Sequence, residues 1–124
     1  MQTLPQQTGP LDEEALARLR ELDPQGSNGL LPRVIRAYFD SLAKLLPELE
    51  AARRPVLDCD KVRQVAHTLK SSSASLGALT LSRQCAAVEA LARERRSETL
   101  DAEIEAMLAG IEEARTALAG LQAA

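Results

Sequence analysis

The chain has 124 residues, of which 45% are hydrophobic and only 2% are aromatic, and its formal charge is −3. Leucine and alanine supply most of the hydrophobic residues, and these favour helices over sheets, so the composition excludes an all-β fold. One histidine and two separate cysteines cannot form a zinc cluster, and the scattered charges with almost no aromatic side chains exclude nucleic acid as a partner.

The first predicted elements are a polar segment and a short helix. Residues 1–10 contain two prolines, one glycine and three glutamines without an apolar period, which predicts a flexible segment. Asp12 is placed to cap a helix that ends near Leu22, because its carboxylate can accept hydrogen bonds from the free amides of the first turn. A single domain is predicted over residues 11–122.

Four longer amphipathic helices follow, each with its apolar residues at helical spacing. They are predicted over residues 30–52, 59–76 and 79–96, and from residue 97 or 99 to near the C terminus. Short connections make successive helices antiparallel. The expected fold is therefore all-α: an antiparallel up-down four-helix bundle with an additional short N-terminal helix.

The one histidine, His67, lies on the third of these predicted helices. At about 100° per residue, an apolar arc forms the core face of this helix, and its members are Val62, Val65, Ala66, Leu69, Ser73 and Leu76. His67 points away from this arc, on an outward face that it shares with Arg63, Lys70, Ser71 and Ala74. A solitary exposed histidine is commonly a passive surface residue, so its neighbours decide the interpretation.

The residues beside His67 are unusually small. Ser71 to Ser75 form a run of serine and alanine inside a predicted helix, where serine is a mediocre helix former. Packing between helices explains Ser72 and Ser73 but not Ser71 and Ala74, which face outward. The outward pair indicates a surface that another molecule approaches closely.

Glu89 of the fourth helix is predicted to lie level with His67. Two antiparallel helices that turn near Gly77 place these two residues at the same height, so the carboxylate can reach one imidazole nitrogen. Such a contact fixes the tautomer and leaves the other nitrogen free as a nucleophile. The alternative is an ordinary flanking glutamate in a surface ion pair, which contributes little.

Residues 66–78, AHTLKSSSASLGA, closely resemble the signature of histidine-containing phosphotransfer (HPt) domains of bacterial multistep two-component signalling. The similarity extends over residues 11–120. It implies that His67 accepts a phosphoryl group from a receiver aspartate and passes it to another receiver. It further implies that Lys70 neutralises the phosphoryl oxygens and that Glu89 orients the imidazole. The residues expected to dock the receiver are Arg63, Gln64, Ser71 and Ala74, with Ser71 standing where many members have glycine.

The resemblance also implies the partners: response-regulator receiver domains, a hybrid sensor histidine kinase, or both. The chain is expected to act as a monomer without a cofactor or metal of its own, and Mg²⁺ is expected on the partner receiver. Cys59 and Cys85 lack a paired spacing and a secretory signal, which predicts reduced thiols and a cytoplasmic protein. No stretch reaches the roughly 18 uncharged apolar residues that indicate a membrane span.

Three other functions are open at this stage. The chain can be a non-catalytic helical adaptor in which His67 is incidental. An autophosphorylating kinase is a weaker alternative, because the sequence contains no Gly-rich nucleotide loop. A hydrolase that uses His67 with Ser71 is weaker still, since both residues share one helix and nothing indicates an oxyanion hole.

Overall fold

The computed structural model describes residues 10–123, and these residues form five α-helices and no strand. The helices are α1 (Glu13–Glu21), α2 (Leu30–Arg53), α3 (Cys59–Ser75), α4 (Leu79–Glu94) and α5 (Ser97–Ala123). Each long helix packs against two others, in the order α2, α3, α4, α5 and back to α2. This arrangement confirms the predicted all-α bundle with its additional short helix. Residues 1–9, most of the segment predicted to be flexible, lie outside the described residues.

Aspartate side chains cap the N termini of α1 and α3, and the cap at Asp12 is the one predicted above. An Asp12 carboxylate oxygen accepts a hydrogen bond from the Ala15 amide at 3.0 Å, and Asp58 accepts one from the Lys61 amide at 3.1 Å. Each aspartate satisfies an amide that has no partner within its helix and places negative charge at the positive end of the helix dipole. These caps fix where α1 and α3 begin.

The core contains the apolar arc predicted for α3, and all six of its members are buried. Ser73 is the polar member of this arc, and its Oγ lies 2.8 Å from the Oη of the buried Tyr38. Burial raises the pKa of Tyr38, so its hydroxyl stays protonated at neutral pH. The hydrogen bond gives each of the two buried hydroxyls a partner. This buried hydrogen bond links α2 to the last turn of α3.

Helix α1 covers the end of the bundle at which α3 turns into α4. Gly77, in this turn, has a φ of +82°, a left-handed conformation that glycine adopts without steric cost. The Asp12 amide donates a hydrogen bond to the Gly77 carbonyl at 2.7 Å, and Leu16 of α1 is buried. The glycine therefore permits both the turn and the close approach of α1.

Replacing Gly77 by alanine is expected to destabilise the fold by about 1–3 kcal/mol, because its φ is positive and strains any larger residue. A Cβ at this position would also lie 2.9 Å from the Asp12 carbonyl oxygen and 3.2 Å from the Ala15 Cβ. Urea denaturation measures the loss. The control is Gly120→Ala, where a Cβ meets nothing within 4 Å, and it should be neutral or slightly stabilising. Equal stability of both variants would contradict this role for Gly77.

Arg53 links two helices at the opposite end of the bundle, where α2 ends and α5 begins. Its buried side chain contacts Glu50 at 3.2 Å, Asp101 at 2.8 Å and Glu105 at 2.7 Å, which joins the end of α2 to the start of α5. Because a buried cation requires close partners, the three carboxylates account for its position.

Cys59 and Cys85 are both buried free thiols. Burial raises the pKa of Cys85 to about 12, so this thiol stays protonated in the core. Among residues 10–123, no helix combines the length and the apolar character that crossing a membrane requires.

Candidate functional site

His67 and Glu89 face each other across the seam between α3 and α4. The imidazole is 63% exposed, and its Nδ1 lies 3.0 Å from Oε2 of Glu89. An ionised carboxylate can only accept a hydrogen bond, so Nδ1 is the nitrogen that carries the proton. In the neutral ring this tautomer leaves the lone pair on Nε2, and the exposed ring can be reached by another molecule. Glu89 therefore lies level with His67 across the two helices, as the sequence predicts.

The carboxylate of Glu89 is the buried centre of the site, with only 7% of its side chain exposed. Its Oε1 accepts a hydrogen bond from Lys70 Nζ at 2.7 Å, and its Oε2 is shared by His67 and by Arg93 Nη2 at 3.3 Å. The hydrogen bond from Lys70 lowers the pKa of Glu89, which outweighs the opposing effect of burial, and His67 lowers it further. Glu89 is therefore ionised at neutral pH. It is not the exposed flanking glutamate of the alternative interpretation.

The residues predicted to dock a partner lie at the surface of α3. Gln64 and Ser71 are exposed, and Arg63 and Ala74 are partly exposed. The Ser71 carbonyl accepts a hydrogen bond from Ser75 Oγ at 3.1 Å. The run of serines thus bonds in part to its own helix and leaves a surface of small side chains beside His67.

Two features of the site do not follow from the sequence-based argument. Lys70, expected to face a phosphoryl group, forms a 2.7 Å ion pair with Glu89. Arg93 is a further contact of Glu89 that the sequence analysis does not predict, although it follows Glu89 by four residues and so lies next to it on the same helical face. That spacing was the signal that could have identified Arg93.

This arrangement suits nucleophilic chemistry at one nitrogen. It combines an exposed imidazole whose Nδ1 faces a carboxylate with two cations that contact the same carboxylate. Within the part of the chain that the structure describes, no three His, Cys, Asp or Glu residues are grouped so that they could hold a metal ion.

The sequence profile of the Hpt domain matches residues 33–124, which is most of the chain and includes α3 and α4. The chain belongs to the Hpt domain family. Histidine phosphotransfer in a phosphorelay, predicted from residues 66–78, is thereby confirmed as the function of this Hpt domain. Hpt domains interact with receiver domains and kinases in phosphorelays.

A solved structure supports the assignment over almost the whole length of both chains. This Hpt domain is similar to histidine-containing phosphotransfer protein B (HptB) from Pseudomonas aeruginosa PAO1, with 26% sequence identity and a TM-score of 0.72. The similarity covers 94% of this chain and 96% of that chain. No curated protein sequence matches this Hpt domain closely enough to add to the comparison.

Proposed function

We propose that His67 accepts a phosphoryl group on Nε2 from the aspartyl phosphate of a receiver domain and relays it to a second receiver. The observation that carries this proposal is the 3.0 Å contact between Nδ1 and Glu89 on an imidazole that is 63% exposed. His67 is also the only histidine of the chain. A rigid helical bundle supports the proposal, since phosphoryl transfer depends mainly on positioning and charge.

The transfer step needs no proton movement on the Hpt domain. The lone pair of Nε2 attacks phosphorus, a P–N bond forms, and the P–O bond to the receiver aspartate breaks with its electron pair left on that carboxylate. The ring keeps its proton on Nδ1 and becomes a phosphorylated imidazolium. Glu89 accepts that proton's hydrogen bond and stabilises the new positive charge.

Lys70 and the surface of α3 complete the proposed site. Lys70 neutralises the phosphoryl oxygens, and Arg63, Gln64, Ser71 and Ala74 contact the receiver. The cations of this surface complement an acidic receiver pocket, where Mg²⁺ is bound by the partner rather than by this chain. The hydroxyl of Ser71, in place of the common glycine, supplies an additional polar contact.

The setting of this reaction is also part of the proposal. The two free thiols, Cys59 and Cys85, support a reducing compartment, the cytoplasm. Among the described residues, the exposed large hydrophobic side chains are Leu22 and Val56, and they lie on separate loops. This distribution supports a monomer.

Incubation with receivers carrying a ³²P-labelled aspartyl phosphate tests this function against a helical adaptor. We expect label on the Hpt domain that is lost in acid and kept in alkali, as a phosphorus–nitrogen bond requires. ATP alone should give no label, which separates transfer from autophosphorylation. Absence of label with every receiver of the source organism would favour the adaptor.

Replacing Lys70 by alanine is expected to slow transfer by about 10- to 100-fold, because one cation near the phosphoryl group is lost. The fold should remain, since Lys70 is partly exposed and Glu89 keeps its contacts with His67 and Arg93. Stopped-flow transfer at saturating receiver measures the rate. Lys61→Ala is the matched control, because Lys61 lies on the same helix but pairs with Glu48. Equal rates for Lys70→Ala and wild type would remove Lys70 from the mechanism.

A further inference from the structure

Lys70 has two tasks that compete for its single ammonium group. In the structure its Nζ lies 2.7 Å from Oε1 of Glu89, the shortest of the three contacts that this carboxylate makes. In the proposed reaction the same ammonium group faces the phosphoryl oxygens. Any movement of Lys70 toward phosphate therefore weakens its support of a buried negative charge, which is costly unless another cation remains.

Arg93 is the cation that remains. Its Nη2 lies 3.3 Å from Oε2 of Glu89, the same oxygen that accepts from His67, so this contact does not involve the oxygen that Lys70 uses. Lys70 can therefore leave Oε1 while Arg93 and the imidazole both stay on Oε2. Each cation therefore contacts a different oxygen of the Glu89 carboxylate, Lys70 contacting Oε1 and Arg93 contacting Oε2.

We infer that Arg93 is a positioning residue of the phosphotransfer site, which holds the charge of Glu89 and so releases Lys70 to the phosphoryl group. This inference rests on the proposed function of His67. Arg93 acts through Glu89 and Lys70 and does not itself contact phosphate. Without Arg93, Lys70 is the one lysine or arginine among residues 10–123 that contacts Glu89 before transfer, and the carboxylate retains it.

The neighbouring arginines show that this role depends on position and not on charge alone. Arg95 pairs with Asp60 of α3 at 3.1 Å, and Arg96 lies 3.8 Å from Glu94. Arg93 and Arg95 have side chains exposed to almost the same extent, 62% and 65%. Each removal takes away one largely exposed positive charge, whereas only the removal of Arg93 takes away a contact of Glu89.

The test measures phosphorylation of Arg93→Gln by phosphoramidate, a small donor without a docking surface, and by a phosphorylated receiver. We expect the rate at saturating donor to fall about tenfold with both donors, while the half-saturating receiver concentration stays within twofold. Arg93→Lys should recover most of the rate, and Arg95→Gln should match wild type. A loss seen only in the half-saturating receiver concentration would overturn the inference and make Arg93 a docking residue.

A variant that combines Arg93→Gln with Lys70→Ala tests directly whether Arg93 acts through Lys70. If Arg93 acts by releasing Lys70, Arg93→Gln should cause no further loss in a chain that lacks this lysine, so the two effects are not additive. A second tenfold loss in that background would overturn the inference. These outcomes are distinct from failure of the proposed function, in which wild type itself carries no phosphoryl group on His67.

Discussion

Replacing His67 by glutamine is expected to reduce phosphotransfer by at least roughly 10³-fold, to the background of the assay, because the only nucleophilic nitrogen of the site is removed. Glutamine is the informative replacement. Its side-chain amide can still donate a hydrogen bond to Glu89, so the buried carboxylate keeps a partner in place of the imidazole. The variant therefore removes the nucleophile and leaves the surrounding contacts largely in place.

The measurement is the transfer of label from a phosphorylated receiver to wild type and His67→Gln at equal concentrations. Circular dichroism and thermal unfolding should agree closely for the two proteins, since the imidazole is largely exposed. Thr68→Ala is the matched control, because Thr68 is the next exposed residue on α3 and has no role in the proposed site. Label retained by His67→Gln at the wild-type rate would place the phosphoryl group on another residue.

Replacing Glu89 by alanine is also expected to have a large effect, a loss of about 10- to 100-fold in transfer rate. The variant removes the acceptor that holds the Nδ1 proton, and it leaves Lys70 and Arg93 without the carboxylate that positions them. Without this contact the imidazole should shift toward a mixture of tautomers, in which Nε2 carries a proton in part of the population and cannot attack. Nitrogen-15 spectra of the imidazole measure the tautomer ratio directly. A ratio and a rate equal to those of wild type would make Glu89 a purely structural residue.

The pH dependence of stability gives an independent test of the same carboxylate. The pKa of Glu89 is lowered in the folded protein from its ordinary value of 4.5, so its contribution to stability is complete above that value. The contribution decreases as the pH falls through the lowered folded pKa. The difference in unfolding free energy between wild type and Glu89→Gln should therefore be largest near neutral pH and should shrink in acid. A difference that does not change with pH would show that the charge of Glu89 contributes nothing.

Helical periodicity was sufficient to predict the main geometry of the site. A rotation of about 100° per residue placed His67 opposite the core face, and the level of residues across an antiparallel hairpin placed Glu89 beside it. Both predictions depend on backbone geometry, which is nearly constant from one α-helix to another. The same regularity explains why the order and approximate bounds of the helices could be predicted.

The ion pairs of the site were harder to predict, because they depend on how long side chains turn. Lys70 shares the outward face of His67, yet its flexible chain reaches back to Glu89 at 2.7 Å. Arg93 reaches the same carboxylate from the next turn of α4. Periodicity assigns a residue to a face of its helix, but it does not choose among the rotamers that carry a charge toward one partner or another.

The position of α1 shows a second kind of limit. The sequence predicted an additional short N-terminal helix, but it did not indicate where on the bundle this helix packs. The structure places α1 on the turn between α3 and α4, where the Asp12 amide bonds to the Gly77 carbonyl. A contact between two backbones leaves little trace in the pattern of side chains, except for the glycine that makes room for it.

The most direct test of the central claim is to locate the phosphoryl group on a single nitrogen atom. The ¹⁵N-labelled protein is phosphorylated by a receiver, and ¹⁵N and ³¹P spectra then identify the ring nitrogen bonded to phosphorus. We predict phosphorus on Nε2 of His67, with the proton retained on Nδ1 and bonded to Glu89. Phosphorus on Nδ1, or on any residue other than His67, would contradict the account.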